Sequence, residues 1–131
     1  MTKQWYQENG YELSSLISDN AIARAERDVT DAYITPIVGN AENVDEEVLQ
    51  RAKGNLAFLL ILQRTIFATR AGAKVKTGYN SQDADAWGKL QQEAFSCHLA
   101  IEALKREPGV NVDAQVTDIC KIYFKTNFFN L

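Results

Sequence analysis

The chain has 131 residues, 46% of them apolar and 24% charged, with a formal charge of −3 and a pI near 5.1. That balance excludes a disordered chain and points to a single globular domain over residues 1–131. The mild acidity leaves no basic footprint for general nucleic-acid binding, and it would keep the surface from sticking to DNA that merely passes nearby.

The opening "MTKQWYQENG" has a lysine but no apolar stretch after it, so no secretory signal is read there. Residues 1–17 read as an N-terminal arm or short helix ending in the cluster Leu13, Leu16 and Ile17. The first main helix is predicted from Asp19 to Ile34, with a continuation through Val38. Its stripe is Ile22, Ala25, Val29, Ala32 and Tyr33, at helical spacing. Ser18, Asp19 or Asn20 suits its N-cap and Gly39 an αL exit. Arg24 with Asp28, and Arg27 with Asp31, form i, i+4 pairs in the weaker orientation, about 0.2–0.5 kcal/mol each. Pro36 interrupts this helix: it lacks a backbone donor and drives Thr35 out of the α region. A kink is expected there, with Ile37 and Val38 turned at an angle against the second helix.

The second helix is predicted from Val44 to Ala71, ending at Gly72, with Asn43 and Glu46 as a capping box and Glu47 paired to Arg51. Val48, Leu49, Ala52, Leu56, Leu59, Ile66 and Phe67 share one face, while Phe58, Ile61 and Leu62 project from the other. A helix apolar on both faces must be covered on more than one side. At 1.5 Å per residue it runs roughly 40 Å, against a diameter of roughly 35 Å for a compact chain of this size. Gly54 costs about 1 kcal/mol against Ala in a helix, so it is expected to admit the close approach of another backbone. The run "LAFLLIL", Leu56 to Leu62, is far too short to span a bilayer.

Residues 73–82, "AKVKTGYNSQ", read as a basic loop or small hairpin. A third helix follows from Gln82 to Glu107, with Ser81 as N-cap and a stripe of Trp87, Leu90, Ala94, Cys97, Ile101 and Leu104. Phe95 and Leu99 lie off that stripe and suggest a second covered surface. "EPG" stops the helix at 107–109. A last helix begins near Asn111 or Asp113, unless the alternation Val110, Val112 makes a short strand first. It leads into the apolar tail of residues 125–131. The fold class is therefore all-α: a small bundle of four main helices, a short N-terminal arm and a C-terminal tail.

The chemistry-bearing residues argue against an enzyme, and no catalytic, cofactor or metal residue is assigned. His98 is the only histidine, too few for the paired ligands of a di-iron bundle or an H-E-x-x-H site. It reads as half-buried or salt-bridged to Glu102. Cys97 and Cys120 lack metal or redox spacing and read as reduced thiols. "RAGAKVKTG" lacks the spacing of a phosphate-cradling loop. Acidic residues gather at helix starts, where the helix dipole accounts for them. Two candidate interfaces remain. Lys74, Lys76 and Tyr79 place two cations and an aromatic on one loop, read either as solvated or as a contact to an acidic surface or a phosphate. Phe128, Phe129 and Leu131 either fold onto their own core or anchor in a neighbour.

The stretch "LISDNAIARAERDVTDAYITPIVG", the long apolar helix after it, the "KTGYNS" loop and a second long helix ending in "LKREPG" resemble, in that order, the head–tail connector (adaptor) proteins of long-tailed bacteriophages and prophages. The likeness covers residues 13–109. It implies an α-helical protein that forms a homo-oligomeric ring between the portal and tail proteins, with DNA passing through without specific binding. It would assemble in the bacterial cytoplasm and end in the virion. By that likeness Lys74, Lys76, Tyr79, Phe128, Phe129 and Leu131 become contacts to neighbours. The ring needs two different surfaces on each copy, which gives Pro36 and Gly39 a role in setting the angle of the first helix. The alternative is a helical regulatory or adaptor domain that binds one protein partner as a dimer.

Overall fold

In a computed structural model that describes residues 1–73 and 81–114, every regular element is helical. Helix α1 spans Lys3–Glu8, α2 Asp19–Val29, α3 Thr35–Val38, α4 Glu46–Ala73 and α5 Ser81–Lys105. The all-α class read from the sequence is correct. Asn111, Val112 and Asp113 lie in an irregular turn, so neither the strand nor the start of a last helix is formed there. The rest of that helix and the 125–131 tail lie outside the described residues.

Helix α4 is the centre of the molecule. At 28 residues it is about 42 Å long. It packs against α2 on one side and α5 on another. Ala52, Leu56 and Leu59 are wholly buried, and so nearly are Phe58 and Ile61 on the other face. The two-sided burial predicted for this helix is what the structure shows. The side chains of Ile66, Phe67 and Trp87 lie outside what the structure describes. Helices α4 and α5 run antiparallel: Asp45 reaches Glu107 at one end, while Phe58 and Leu62 stand beside residues 89–96 further along.

The α4 cap differs from the prediction. Asp45, not Asn43, accepts hydrogen bonds from the Glu47 and Val48 amides at 2.9 and 3.2 Å. The Glu47–Arg51 pair does form, at 3.4 Å on an exposed face. Asp28, in contrast, turns away from Arg24 and pairs with Arg64 of α4 at 2.6 Å, a contact between two helices.

The N-terminal segment is part of the core. Tyr6 of α1 is completely buried. Thr2 caps α1 by accepting from the Trp5 amide. The helix ends in a Schellman turn: Gly10 takes φ +87°, the Tyr11 amide donates to the Tyr6 carbonyl, and the Gly10 amide donates to that of Gln7. The ring of Tyr11 then meets that of Tyr6 at 5.5 Å, the apolar contact that accompanies such turns. Lys3 donates to the carbonyls of Ser15 and Ile17 and so ties down the following loop. Leu16 points outward, 91% exposed, and does not join Leu13 and Ile17 against the core. Ser18 supplies the α2 cap through the Ala21 amide.

Pro36 does not break the first helix. Thr35 keeps an α conformation, φ −59° and ψ −44°, contrary to the expectation that it leaves the α region. Thr30–Ile34 instead form a π turn, in which the Thr35 amide donates to the Thr30 carbonyl five residues back. A proline ring clashes with the carbonyl four residues before it in a straight α-helix. Widening the turn by one residue moves that carbonyl aside and lets the helix continue to Val38. Ile37 is wholly buried, and its short helix meets α5, a contact the sequence did not suggest. Gly39 has a positive φ, +54°, but its ψ of −122° with a hydrogen bond from Ala41 to Val38 makes a type II′ turn instead of the αL exit.

Candidate interaction surface

The candidate interface residues and the two kink residues read from the sequence fare differently. Lys74, Lys76, Tyr79, Phe128, Phe129 and Leu131 all lie outside the described residues. Pro36 and Gly39 are brought beside the end of α5. The Asn111 amide donates to the Ile37 carbonyl at 2.7 Å, and the Asp45 amide donates to Glu107 Oε1 at 2.6 Å. Gly109, at φ +82°, sits against Ala41, where a Cβ would be in ordinary van der Waals contact at 3.5 Å. The Pro36–Gly39 stretch is thus an internal seam of the bundle. The Ile37 carbonyl, left without a helical partner at the II′ turn, finds its donor in Asn111, while those of Thr35 and Val38 accept from Gly39 and Ala41.

Helix α5 presents two faces. Leu90, Ala94, Cys97, Ala100 and Leu104 are buried against α4 and α3. On the other side Phe95 and Leu99, one helical turn apart, are 55% and 54% exposed. The second covered surface expected for these two residues is not supplied by the described part of the chain. Gly88 and Gln92 precede them on the same side, both exposed. His98 beside it is exposed and forms no ion pair with Glu102, in contrast to the half-buried or bridged reading.

Next to the ridge lies an open groove of about 760 Å³. Its walls come from the turn after α1 (Gly10, Glu12), from α4 (Phe58, Leu62) and from α5 (Lys89, Glu93, Phe95, Ser96). Burial pushes the Glu93 carboxyl up to about 8, so it carries its proton at neutral pH. Its Oε1 is buried and has no hydrogen-bond partner among the described residues. Nearby, Tyr11 donates its hydroxyl to Asn55 Oδ1 at 2.7 Å. Burial first and the charge of Glu93 second raise that phenol to about 12, so it stays a donor throughout the useful pH range. At the mouth Lys89 Nζ stands 3.6 Å from Glu12 Oε2, an exposed and weak pairing.

Sequence reading missed Glu93. It stands three residues after Leu90 and four before Cys97, which places it on the margin of the buried stripe. A carboxylate in that register is a signal that spacing alone can reveal. Among the described residues no group of three His, Cys, Asp or Glu side chains is placed to hold a metal ion, and no helix is long and apolar enough to cross a membrane. The chain matches no known family model, and neither a curated protein nor a solved structure is detectably similar to it.

Proposed function

We propose that this protein is a non-enzymatic assembly subunit of the phage head–tail connector type. Copies close into a ring between the portal and tail proteins, and DNA passes through the bore without specific binding. The observation that supports this reading best is the exposed Phe95–Leu99 pair. It lies on a long helix whose opposite face is already committed to the core. Two large apolar side chains one turn apart on a rigid helix form the kind of ridge that seats in a neighbour's groove. The resemblance in order and texture over residues 13–109 supplies the rest.

The test is native mass spectrometry across a wide concentration series, with negative-stain imaging of the most concentrated sample. Closed rings or a ladder of growing oligomers are expected from the wild type. Leu99→Asp should shift the ladder to monomer while leaving the far-ultraviolet circular dichroism unchanged. A wild type that stays monomeric throughout, or a ladder indifferent to Leu99→Asp, would sink the reading.

A further inference from the structure

Phe95 belongs to two features at once: it forms half of the exposed ridge and it lines the groove beside Glu93. A partner that covers the ridge therefore reaches the groove. What the groove asks for is set by its lining. Phe58, Leu62 and Phe95 offer apolar surface, and the buried Glu93 Oε1 offers an acceptor that no described residue uses. Lys89, the groove's own cation, stands by Glu12 at the rim. An incoming ammonium or guanidinium group would satisfy Oε1 and draw the proton off the carboxyl, leaving a charge-assisted pair in a dry setting. A small free amine would leave most of a 760 Å³ groove unfilled. A peptide segment with a basic residue between aromatic and aliphatic ones fills both parts. The chain carries such a segment in "KIYFKTNFF", residues 121–129, which lies outside the described residues.

We propose that the groove receives residues 121–129 of a second copy, with Lys121 or Lys125 paired to Glu93 and the intervening Ile122, Tyr123 and Phe124 against Phe58, Leu62 and Phe95. This rests on the assembly reading and names its contact chemistry. The titratable and charged groups around Glu93 are Tyr11 and Glu12 from the N-terminal turn, Arg51 on α4, whose charge reaches Tyr11, and Lys89 and Cys97 on α5. The lysine binds the ionised carboxyl, whereas the empty groove holds the protonated one. Association therefore releases a proton and strengthens as pH rises toward 8.

The test uses the full chain with the photo-cross-linking residue p-benzoylphenylalanine at Leu62, as an equal mixture of ¹⁵N-labelled and unlabelled copies. Irradiation at a self-associating concentration should give adducts in residues 121–129 that pair a labelled with an unlabelled peptide. Sedimentation supplies the affinities: wild-type association should weaken about tenfold from pH 8.5 to 6.5. Glu93→Gln should be about tenfold weaker than wild type at pH 8.5 and indifferent to pH over that range. Cys97 and His98 are the same in both proteins, so the difference between them isolates Glu93. Adducts confined to one copy, adducts elsewhere on the second copy, or an unchanged affinity in Glu93→Gln would each overturn the proposal. If Leu99→Asp abolishes association and Glu93→Gln leaves it intact, the groove contact falls and the assembly reading stands. If neither variant has an effect, both fall.

Discussion

Trp5 occupies the space that a side chain at position 54 would need: two carbons of its indole, Cη2 and Cζ3, stand 2.7 Å from where a Cβ on Gly54 would be. The indole is held there by Tyr6 edge-on at 5.0 Å and by Tyr11 stacked at 5.8 Å. Gly54 is therefore the socket by which α1 attaches to α4. The close approach anticipated for this glycine is real, but a side chain makes it, not a backbone.

A reversal of sign follows. In the wild type, Gly54→Ala gains about 1 kcal/mol of helix propensity but must displace a packed indole, for a net loss of about 1–2 kcal/mol. In a Trp5→Ala background the same change should stabilise by about 1 kcal/mol. Urea midpoints of the four proteins in this cycle give the coupling directly. A destabilising Gly54→Ala in both backgrounds would show that the indole is not what the glycine accommodates.

Glu26 is the second anchor of the N-terminal segment. Its carboxylate accepts from the Met1 ammonium at 2.9 Å and from the Tyr6 hydroxyl at 2.7 Å, both largely shielded from water. Burial first, and then the bond to Glu26 and its charge, hold the Tyr6 hydroxyl protonated far above the usual phenol range. Glu26→Gln keeps an acceptor for Tyr6 but leaves the ammonium without its counter-charge. The expected cost is about 2 kcal/mol, read from the urea midpoint at neutral pH. Tyr6→Phe, which removes one hydrogen bond and leaves the ion pair, should cost about 1 kcal/mol. Equal losses in the two variants would argue that the hydroxyl, not the charge pair, carries the contact.

Periodicity made the long helices legible, because α4 and α5 repeat their apolar residues over many turns, although α4 runs on through Gly72 to Ala73 and α5 stops at Lys105, short of the predicted Glu107. The double-sided burial of α4 was readable for the same reason. What escaped was everything decided by contacts distant in sequence. Nothing local to residues 1–17 says that Tyr6 will be buried by partners beyond residue 20, or that Trp5 will find Gly54. Asn43 and Asp45 are both good caps, and the choice fell to Asp45, whose own amide is held by Glu107. Phe95 and Leu99 were legible as lying off the main stripe. Spacing cannot tell a surface covered within the chain from one left for a partner.

Pro36 was the clearest local signal and was read only half correctly. The missing donor is real, but a π turn absorbs it without ending the helix. Val29, Ile34 and Ile37, all buried, hold that register by packing. Pro36→Ala returns a donor and frees some backbone entropy in the unfolded chain, so its stability should change by less than about 1 kcal/mol. Because Ile37 must stay in the core, the amide of residue 37 should keep wild-type hydrogen-exchange protection. Loss of protection there, with the overall fold intact, would mean that the proline and not the packing holds the π turn.

Glu93 makes the last prediction, and its sign is opposite to that of an ordinary paired carboxylate. Its folded value of about 8 lies above the usual 4.5. Between those values the folded chain holds a proton that the unfolded chain has released. Stability therefore falls as pH rises through that window, is full below 4.5 and levels off above 8. The loss from this one group by pH 7 is about 2 kcal/mol, after allowing for the water that reaches the groove. Glu93→Gln has no proton to lose. It should match the wild type at pH 4.5 and exceed it by about 3 kcal/mol at pH 8, measured by urea denaturation of dilute, monomeric protein at both values. The groove side chain would then oppose folding alone and favour association with a cation, so the same substitution should raise monomer stability and lower affinity for a second copy. A variant less stable than wild type at pH 8 would show that the carboxylate is already paired within the chain.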